Sequence, residues 1–262
     1  MTSVSHVLRP NEAVSSAASS YLVVFWIALA LLVWIGAASP ILPSPFAVIA
    51  SVPGLWFQDG LGYQLWVSFG LNLQAIAIMV TLSLTISYAT VMPAFRPVAT
   101  FVSSGRFNGF CGLPLIFTLY IGDAHWIKVA LLVYGMSVYT VPAVTKMMDL
   151  IPKENFDHAR TLRMHEWRVV WEVVILGHFD DVIEIFRNTA AMGWMLLPMV
   201  EGLFKSEGGL GALVDIENKH FNIAAEFAIV FVILLVGLAQ DYLIGVFKGI
   251  VCQYSTLGLE RA

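Results

Sequence analysis

The sequence predicts an all-α integral membrane protein with six spanning helices, and composition and hydropathy support this fold class. Of the 262 residues, 58% are hydrophobic and 12% are charged, and the mean hydropathy is +0.79. Soluble domains carry about 25% charged residues. A soluble monomer of this size could not bury so much apolar surface. The net charge of −4, without a stripe rich in Lys and Arg, excludes nucleic-acid binding.

Six segments have about the length of 20 mostly apolar residues, or more, that a helix needs to cross a bilayer. They are 21–38, 65–92, 98–122, 126–148, 182–204 and 224–247. The third segment is interrupted by glycines, Arg106 and Pro114, so its backbone must be supported by neighbouring helices. The fifth segment carries Glu184 and Arg187, which predicts an interior helix rather than a lipid-facing one.

The loops divide this chain into a polar tail (1–20), a six-helix transmembrane domain (21–248) and a second tail (249–262). Cations set the orientation, because cytoplasmic loops are enriched in Lys and Arg. If the N-terminus is cytoplasmic, the outer side receives only Lys128, Lys205 and Lys219. The cytoplasmic side then receives Arg9, Arg96, Lys146, Lys153, Arg160, Arg163, Arg168, Lys248 and Arg261. Both termini are therefore predicted to be cytoplasmic.

The first outer segment, 39–62, is rich in proline and predicts a short helix lying on the membrane surface. Its interfacial side chains would be Phe46, Ile49, Trp56 and Phe57.

The loop 151–181 is the only long polar segment, and it lies on the predicted cytoplasmic side. Apolar residues recur in it at helical spacing, on either side of a polar break at 163–166. The first set is Phe156, Ala159 and Leu162, and the second is Trp167, Val170, Trp171 and Val174. This pattern predicts two short amphipathic helices joined by a turn. Because loops of this length are usually functional, we expect another protein to dock here.

Polar residues within the spans are candidates for a translocation path. Asn72 and Asn188 would line it, and Arg106 would attract an anion; hydrogen-bonded helix packing is the alternative for the asparagines. For Arg106 the alternatives are snorkelling or pairing with Glu201. Glu184 and Arg187 are three residues apart and predict an ion pair on one helix face.

A methionine stripe on the fifth segment could form an apolar gate, although such stripes usually serve ordinary packing. Its members are Met192, Met195 and Met199.

Enzymatic sites are poorly supported by the sequence. His178 with Asp180 and Asp181 is the one arrangement that suggests a metal-dependent membrane enzyme. No phosphate-binding loop is present, so any ATPase would be a separate polypeptide. Cys111 and Cys252 cannot form a disulfide framework.

Several motifs together resemble the permease subunits of bacterial binding-protein-dependent ABC importers, in the nitrate/sulfonate/taurine branch. The cytoplasmic loop has Asp157-His158-Ala159-Arg160-Thr161-Leu162-Arg163-Met164 followed by Trp167, which is similar to the EAA motif of that family. Other stretches match in order over about residues 20–250: Leu42-Pro43-Ser44-Pro45, Leu113-Pro114-Leu115, the trio Arg187, Trp194 and Glu201, and Gly208-Gly209-Leu210-Gly211.

The resemblance implies a type I ABC importer transmembrane domain with a cytoplasmic coupling helix. The implied partners are two ABC ATPase subunits, a second permease copy or paralogue, an external solute-binding protein and membrane lipid. ATP and Mg²⁺ would be bound by the ATPase, and this chain would bind no cofactor. The expected location is the bacterial inner membrane, and the expected solute is a small oxyanion or sulfonate such as nitrate, taurine or an alkanesulfonate.

In this scheme residues 157–163 couple the permease to the ATPase. Asp157, near the helix start, would favour the positive end of the helix dipole, small Ala159 would allow close approach, and Arg160 would pair with an acidic residue of the ATPase. Arg163 replaces the turn glycine of the family. Because left-handed backbone angles cost a non-glycine residue about 1 kcal/mol or more, we expect a different turn geometry.

The candidate translocation path therefore comprises Arg187 and Glu201, which match the family's fifth helix, Met192 and Met195 of the methionine stripe, and the polar residues Asn72, Arg106 and Asn188. Alternatives are a permease for a vitamin precursor, the metal-dependent enzyme, or a secondary transporter that needs no ATPase.

Overall fold

A computed structural model describes residues 16–37, 42–108 and 112–252, and within these ranges the chain forms helices and turns without strands. Among the described residues, four helices are long and apolar enough to cross a membrane. They are α1 (Ser16–Gly36), α3 (Leu61–Ala89), α6 (Ala124–Asp149) and α11 (Ile223–Val251). They correspond to the first, second, fourth and sixth predicted spans. Most of both predicted tails, with Arg9 and Arg261, lies outside the described residues.

The third predicted span is two short helices rather than one. Helix α4 (Arg96–Ser104) runs into a 3₁₀ turn (Gly105–Phe107), and α5 (Leu113–Tyr120) follows, while residues 109–111, with Cys111, lie outside the described part of the chain. The turn is held against α6, because the Tyr134 hydroxyl donates to the Gly105 carbonyl at 3.0 Å. A Cβ at Gly105 would lie 2.8 Å from that hydroxyl, so glycine permits this contact.

The fifth span is the continuous helix α9 (Phe179–Leu203), which carries Asp180, Asp181, Glu184, Arg187 and Glu201. One face of the helix buries Trp194 and Leu197 together with Glu201. The prediction of an interior helix is confirmed for this face. Glu184, Arg187 and Glu201 have partners on other elements, as described below.

Helix α6 lies at the centre of the bundle and packs against α3, α4 and α9. Leu131, Leu132 and Met136 are fully buried there. Helix α1 is instead almost wholly exposed, and Trp34 near its end contacts two other parts of the chain. The Trp34 ring stacks on Phe231 of α11 at 5.4 Å between centroids, and its indole N–H donates to the Pro43 carbonyl at 3.0 Å.

Two shorter helices lie on the predicted outer side. Helix α2 (Pro45–Phe57) begins after Ser44, whose hydroxyl accepts from the Ala47 N–H at 3.3 Å, with proline at the first helical position. The predicted interfacial residues Phe46, Ile49, Trp56 and Phe57 are all exposed on it, which confirms the predicted helix. Helix α10 (Leu210–Lys219) was not predicted, because glycines precede it and it has only ten residues.

Candidate functional site

The loop between α6 and α9 forms a helical hairpin, as the sequence predicts. Helix α7 (Lys153–Thr161) follows Pro152, and α8 (Glu166–Val169) continues as a π-helical segment (Val170–Leu176). We call residues 153–176 the cytoplasmic hairpin, after the side of the membrane on which the sequence predicts it. Because α7 begins at Lys153, Asp157 is in mid-helix and Glu154 is the acidic residue of the first turn, so the dipole role predicted for Asp157 is wrong.

The turn of the hairpin keeps the left-handed geometry even though it contains arginine. Arg163 has φ of 56°. Its N–H donates to the Arg160 carbonyl at 2.9 Å, and the Met164 N–H donates to the Ala159 carbonyl at 3.5 Å. These two bonds define a Schellman motif, in which glycine normally occupies the Arg163 position. The expectation of a different turn geometry is therefore wrong, and arginine adopts the strained conformation instead.

Arg160 closes the hairpin by pairing with carboxylates on both of the hairpin's helices. Its guanidinium donates to Glu166 at 3.0 and 3.2 Å and contacts Asp157 at 3.4 Å. The hydrogen bond from Arg160 lowers the pKa of Glu166 below its usual value. Arg160 was predicted to pair with an acidic residue of another protein, but the N–H groups on two edges of its guanidinium contact carboxylates within the hairpin. Its role here is to hold α7 against α8.

The hairpin has one buried and one exposed side. Ala159, Val169 and Val174 are buried. Leu162, Trp167 and Trp171 have exposed fractions of 60%, 61% and 54%. Asp157, His158, Thr161 and Arg163 are also exposed. Large apolar side chains next to charged ones on an accessible surface are typical of a protein-docking site.

An exposed stripe on α9 contains the predicted path residues Asn188, Met192 and Met195, together with Met199 of the methionine stripe. Asn188, Met195 and Met199 are exposed and Met192 is half-buried, at the spacing that places them on one helix face. Met195, with 71% exposure, is the most accessible of the methionines. This face of α9 is uncovered in the single chain.

Arg187 belongs to an ion-pair network between α9 and α11. Its guanidinium donates to both carboxylate oxygens of Asp241 at 2.7 and 2.6 Å. The predicted pair with Glu184 is present at a longer distance of 3.8 Å, and Glu184 accepts from Lys248 at 2.9 Å. The main role of these four residues is to join the start of α9 to the end of α11.

Asn72 of α3 is fully buried against α9 and α11. Its side-chain amide donates to Gln240 at 3.3 Å, and the Trp194 indole donates to the same oxygen at 2.9 Å. A Cβ at Gly193 would lie 2.6 Å from the Asn72 amide oxygen, so the helices approach closely. In this conformation Asn72 is not open to a solute, and its contacts match the packing alternative.

Glu201 is fully buried as well, and it organises the turn that precedes α10. The Ser68 hydroxyl donates to it at 2.6 Å and the Gly211 N–H at 2.9 Å. A Cβ on Gly209, whose φ is 111°, would collide with the Glu201 carboxylate. The glycines of this turn thus make room for a buried carboxylate, and Glu201 acts here as a structural anchor.

The burial of Lys128 was not predicted. The distribution of Lys and Arg had only placed this residue on the outer side. Lys128 is fully buried in α6, and its ammonium lies 2.6 Å from Glu207. His125 contacts Glu207 at 3.2 Å and Gln74 at 2.9 Å. Partial desolvation raises the pKa of Glu207, but the hydrogen bonds from Lys128 and His125 outweigh it and keep the pKa low. The available signal was a lysine within the first turns of an apolar span.

Arg106 lies in the 3₁₀ turn and is exposed, with its guanidinium 5.0 Å from the Phe107 ring centroid. The suggested pair with Glu201 is wrong, because the Glu201 carboxylate is enclosed by Ser68 and Gly211.

The suggested metal cluster has no geometric support. His178 hydrogen-bonds the Val173 carbonyl at 3.0 Å, and no group of three or more His, Cys, Asp or Glu side chains within 16–37, 42–108 and 112–252 is placed to hold a metal ion.

The fold and these surfaces define a helical, multi-pass membrane transport protein. Residues 98–249 match the family model described as the inner membrane component of binding-protein-dependent transport systems. The chain belongs to this family, and it is therefore an ABC transport permease subunit of the inner membrane and not an enzyme.

A solved structure described as an amino acid ABC transporter with histidines shares the fold, with a TM-score of 0.62 and 15% identity. The match covers 75% of this chain and 96% of that one. No curated protein sequence matches. The similarity confirms the predicted type I importer fold.

Proposed function

We propose that this permease drives import by alternating access, with the cytoplasmic hairpin as the docking element for a separate ABC ATPase. The observation that carries this proposal is the exposure of Leu162, Trp167 and Trp171 on a hairpin whose other side is buried in the bundle. An aromatic pair on an accessible surface is the kind of anchor on which protein interfaces depend. Residues 157–163 supply the helix, turn and charges around this anchor.

The hairpin is attached at both ends to spans, so that it can transmit a displacement. Ile151, between α6 and α7, is buried, and His178 ties the end of the π-helical segment to α9. Movement of the docked ATPase would therefore move α6 and α9 together as linked elements. ATP and Mg²⁺ are bound by the ATPase in this scheme, and the permease supplies no nucleotide site.

The translocation path is proposed to run along the exposed face of α9, opposite a second permease copy or paralogue. Asn188 offers hydrogen bonds there, and Met192 and Met195 offer a soft apolar surface. Arg187 lies at the cytoplasmic end of the same helix, and Arg106 is an accessible cation on another element. Asn72 and Glu201 would support the path by holding α3, α9 and α10 in place.

The proposed solute is a small oxyanion or sulfonate such as nitrate, taurine or an alkanesulfonate, delivered by an external binding protein. The support is the collinear motif resemblance and the exposed Arg106. A vitamin precursor is the alternative. The structural relative named as an amino acid transporter shares only 15% identity, so it informs the fold and not the solute. Uptake of labelled nitrate, taurine and a vitamin precursor by cells with and without this chain distinguishes these candidates.

Both termini are proposed to be cytoplasmic in a bacterial inner membrane. The excess of Lys and Arg on the hairpin side of the sequence supports this orientation.

The docking proposal is tested with the double variant Trp167→Ala/Trp171→Ala, matched by Trp66→Ala. Trp66 is 72% exposed on α3, away from the hairpin. Loss of an aromatic hot spot costs about 2 kcal/mol or more, so we expect at least about a thirtyfold weaker association with the ATPase. Co-purification with the host's Walker-motif ATPase and solute uptake are measured together with thermal stability.

The hairpin variant should lose both association and uptake while the permease melts at an unchanged temperature. The Trp66→Ala control should keep both. Normal association of the double variant with the ATPase would refute the docking role.

A further inference from the structure

A cavity of about 510 Å³ lies beneath the cytoplasmic hairpin. Its walls come from the residues after α3, from α4 and from the end of α6, and the hairpin covers it with Phe156 and Val174. None of the functions discussed above uses this cavity. Because the cavity lies between the hairpin and the spans, a molecule bound in it would contact the inner side of the hairpin.

The wall contributed by α4 is polar along one face. Arg96, Thr100 and Ser103 all line the cavity, and their spacing of four and three residues places them on one side of the helix. Lys146 of α6 lines it too. Neither Arg96 nor Lys146 has a carboxylate within 4.0 Å among the described residues. Two exposed cations, neither of them paired within the described residues, therefore face one open pocket.

The lining includes one carboxylate, Asp149, which is exposed and lies at the end of α6. Two cations and one carboxylate leave the described lining with a net charge of +1. Hydroxyl groups of Thr100 and Ser103 add possible hydrogen-bond donors. This combination of guanidinium, ammonium and hydroxyl groups matches the oxygens of a phosphate group.

The other side of α4 faces outward and is apolar. Val98 and Phe101 have exposed fractions of 44% and 81%. A helix with lipid-type side chains on one face and cations on the other is typical of the membrane–water boundary. Basic pockets between spans on the cytoplasmic side bind anionic lipid head groups.

We propose that this cavity binds a phosphate group, supplied by the head group of an anionic phospholipid of the inner leaflet. Arg96 and Lys146 contact the phosphate oxygens, and the acyl chains lie along Val98 and Phe101. The bound head group then supports the inner side of the hairpin at Phe156. The location at the inner leaflet rests on the proposed orientation, whereas the anion site itself rests only on the cavity.

The test uses the purified permease without ATPase, so that its outcome is independent of the docking proposal. Retention of phosphatidylglycerol is measured by native mass spectrometry across a titration of the lipid in detergent. Wild type should retain one tightly bound molecule. Each surface cation contributes about 1 kcal/mol to anionic-lipid binding, so the variant Arg96→Gln/Lys146→Gln should bind about thirtyfold more weakly.

Two further variants separate this effect from misfolding and from general charge loss. Lys153→Gln removes an exposed cation at the start of the hairpin, outside the cavity, and should bind like wild type. The charge-preserving variant Arg96→Lys/Lys146→Arg should retain most of the binding. If the double glutamine variant binds phosphatidylglycerol as tightly as Lys153→Gln, the proposal is overturned.

The source of the phosphate is resolved by a second titration with inorganic phosphate, read as a shift in melting temperature. A shift that requires Arg96 and Lys146, without selective lipid retention, would keep the anion site and replace the lipid with a soluble phosphate. Absence of both responses in wild type would refute the site.

Discussion

Replacing Arg163 with glycine should stabilise the hairpin turn. Arg163 holds φ at 56° at the Schellman position, where a side chain costs about 1–2 kcal/mol. Glycine removes that cost but loses about 0.5–1 kcal/mol of backbone entropy on folding. The net gain is about 0.5–1 kcal/mol, which corresponds to a two- to fivefold smaller population of the open turn, at about 1.4 kcal/mol per factor of ten.

Hydrogen exchange of the Met164 amide, which bonds the Ala159 carbonyl across the turn, reports this population directly. After correction for intrinsic rates, Arg163→Gly should exchange about two- to fivefold more slowly than wild type, at about 1.4 kcal/mol per factor of ten. Arg163→Ala is the matched control, because it removes the same side chain but keeps a Cβ at positive φ. Equal exchange in the glycine and alanine variants would show that the backbone is not strained, and the reasoning would be refuted.

Two other predictions concern the outer turn and the acidity of the hairpin. Gly209→Ala places a methyl group on the Glu201 carboxylate at φ 111°, so backbone strain and overpacking together should cost about 2–5 kcal/mol. A lower melting temperature is expected, while Gly249→Ala, which meets no atom within 4 Å, serves as the control; equal melting of both variants would contradict the buried-carboxylate geometry. Because the pKa of Glu166 is lowered in the fold, its pair with Arg160 stabilises the hairpin above the ordinary glutamate pKa. This contribution should disappear as the pH falls through the lowered value, and Arg160→Gln should abolish the pH dependence of the amide protection factors in the hairpin, which are corrected for intrinsic exchange. Persistence of the same pH profile in that variant would assign it to another group.

Local periodicity was enough to predict most of the fold. The four apolar spans and the hairpin are defined by residues within one or two helical turns of each other, so a pattern such as Trp167, Val170, Trp171 and Val174 carries the information. The break in the third span was also visible, because glycine and Arg106 interrupt it. Its division into two separate helices depends on the contact of Gly105 with Tyr134, which is 29 residues away.

The interior of the site could not be predicted in this way. Ser68 and Glu201 are separated by 133 residues, and nothing local in either segment indicates that they meet. The same holds for Lys128, whose neighbours in sequence are those of an ordinary span. For Arg187 the sequence indicated only the nearby partner Glu184, because a spacing of i,i+3 can be recognised in the sequence. The closer contact with Asp241 joins two distant segments and cannot be recognised in this way.

The two ends of the permease hold their ion pairs in different surroundings, and they will respond differently to ionic strength. Lys128 is fully buried where it meets Glu207, whose side chain is 37% exposed, whereas Arg160 and Glu166 have side-chain exposures of 51% and 67%. At physiological salt, mobile ions screen exposed charges over about 8 Å but penetrate little into a packed interior. Raising the salt concentration should therefore weaken the Arg160–Glu166 pair of the hairpin before it weakens the contact between Lys128 and Glu207.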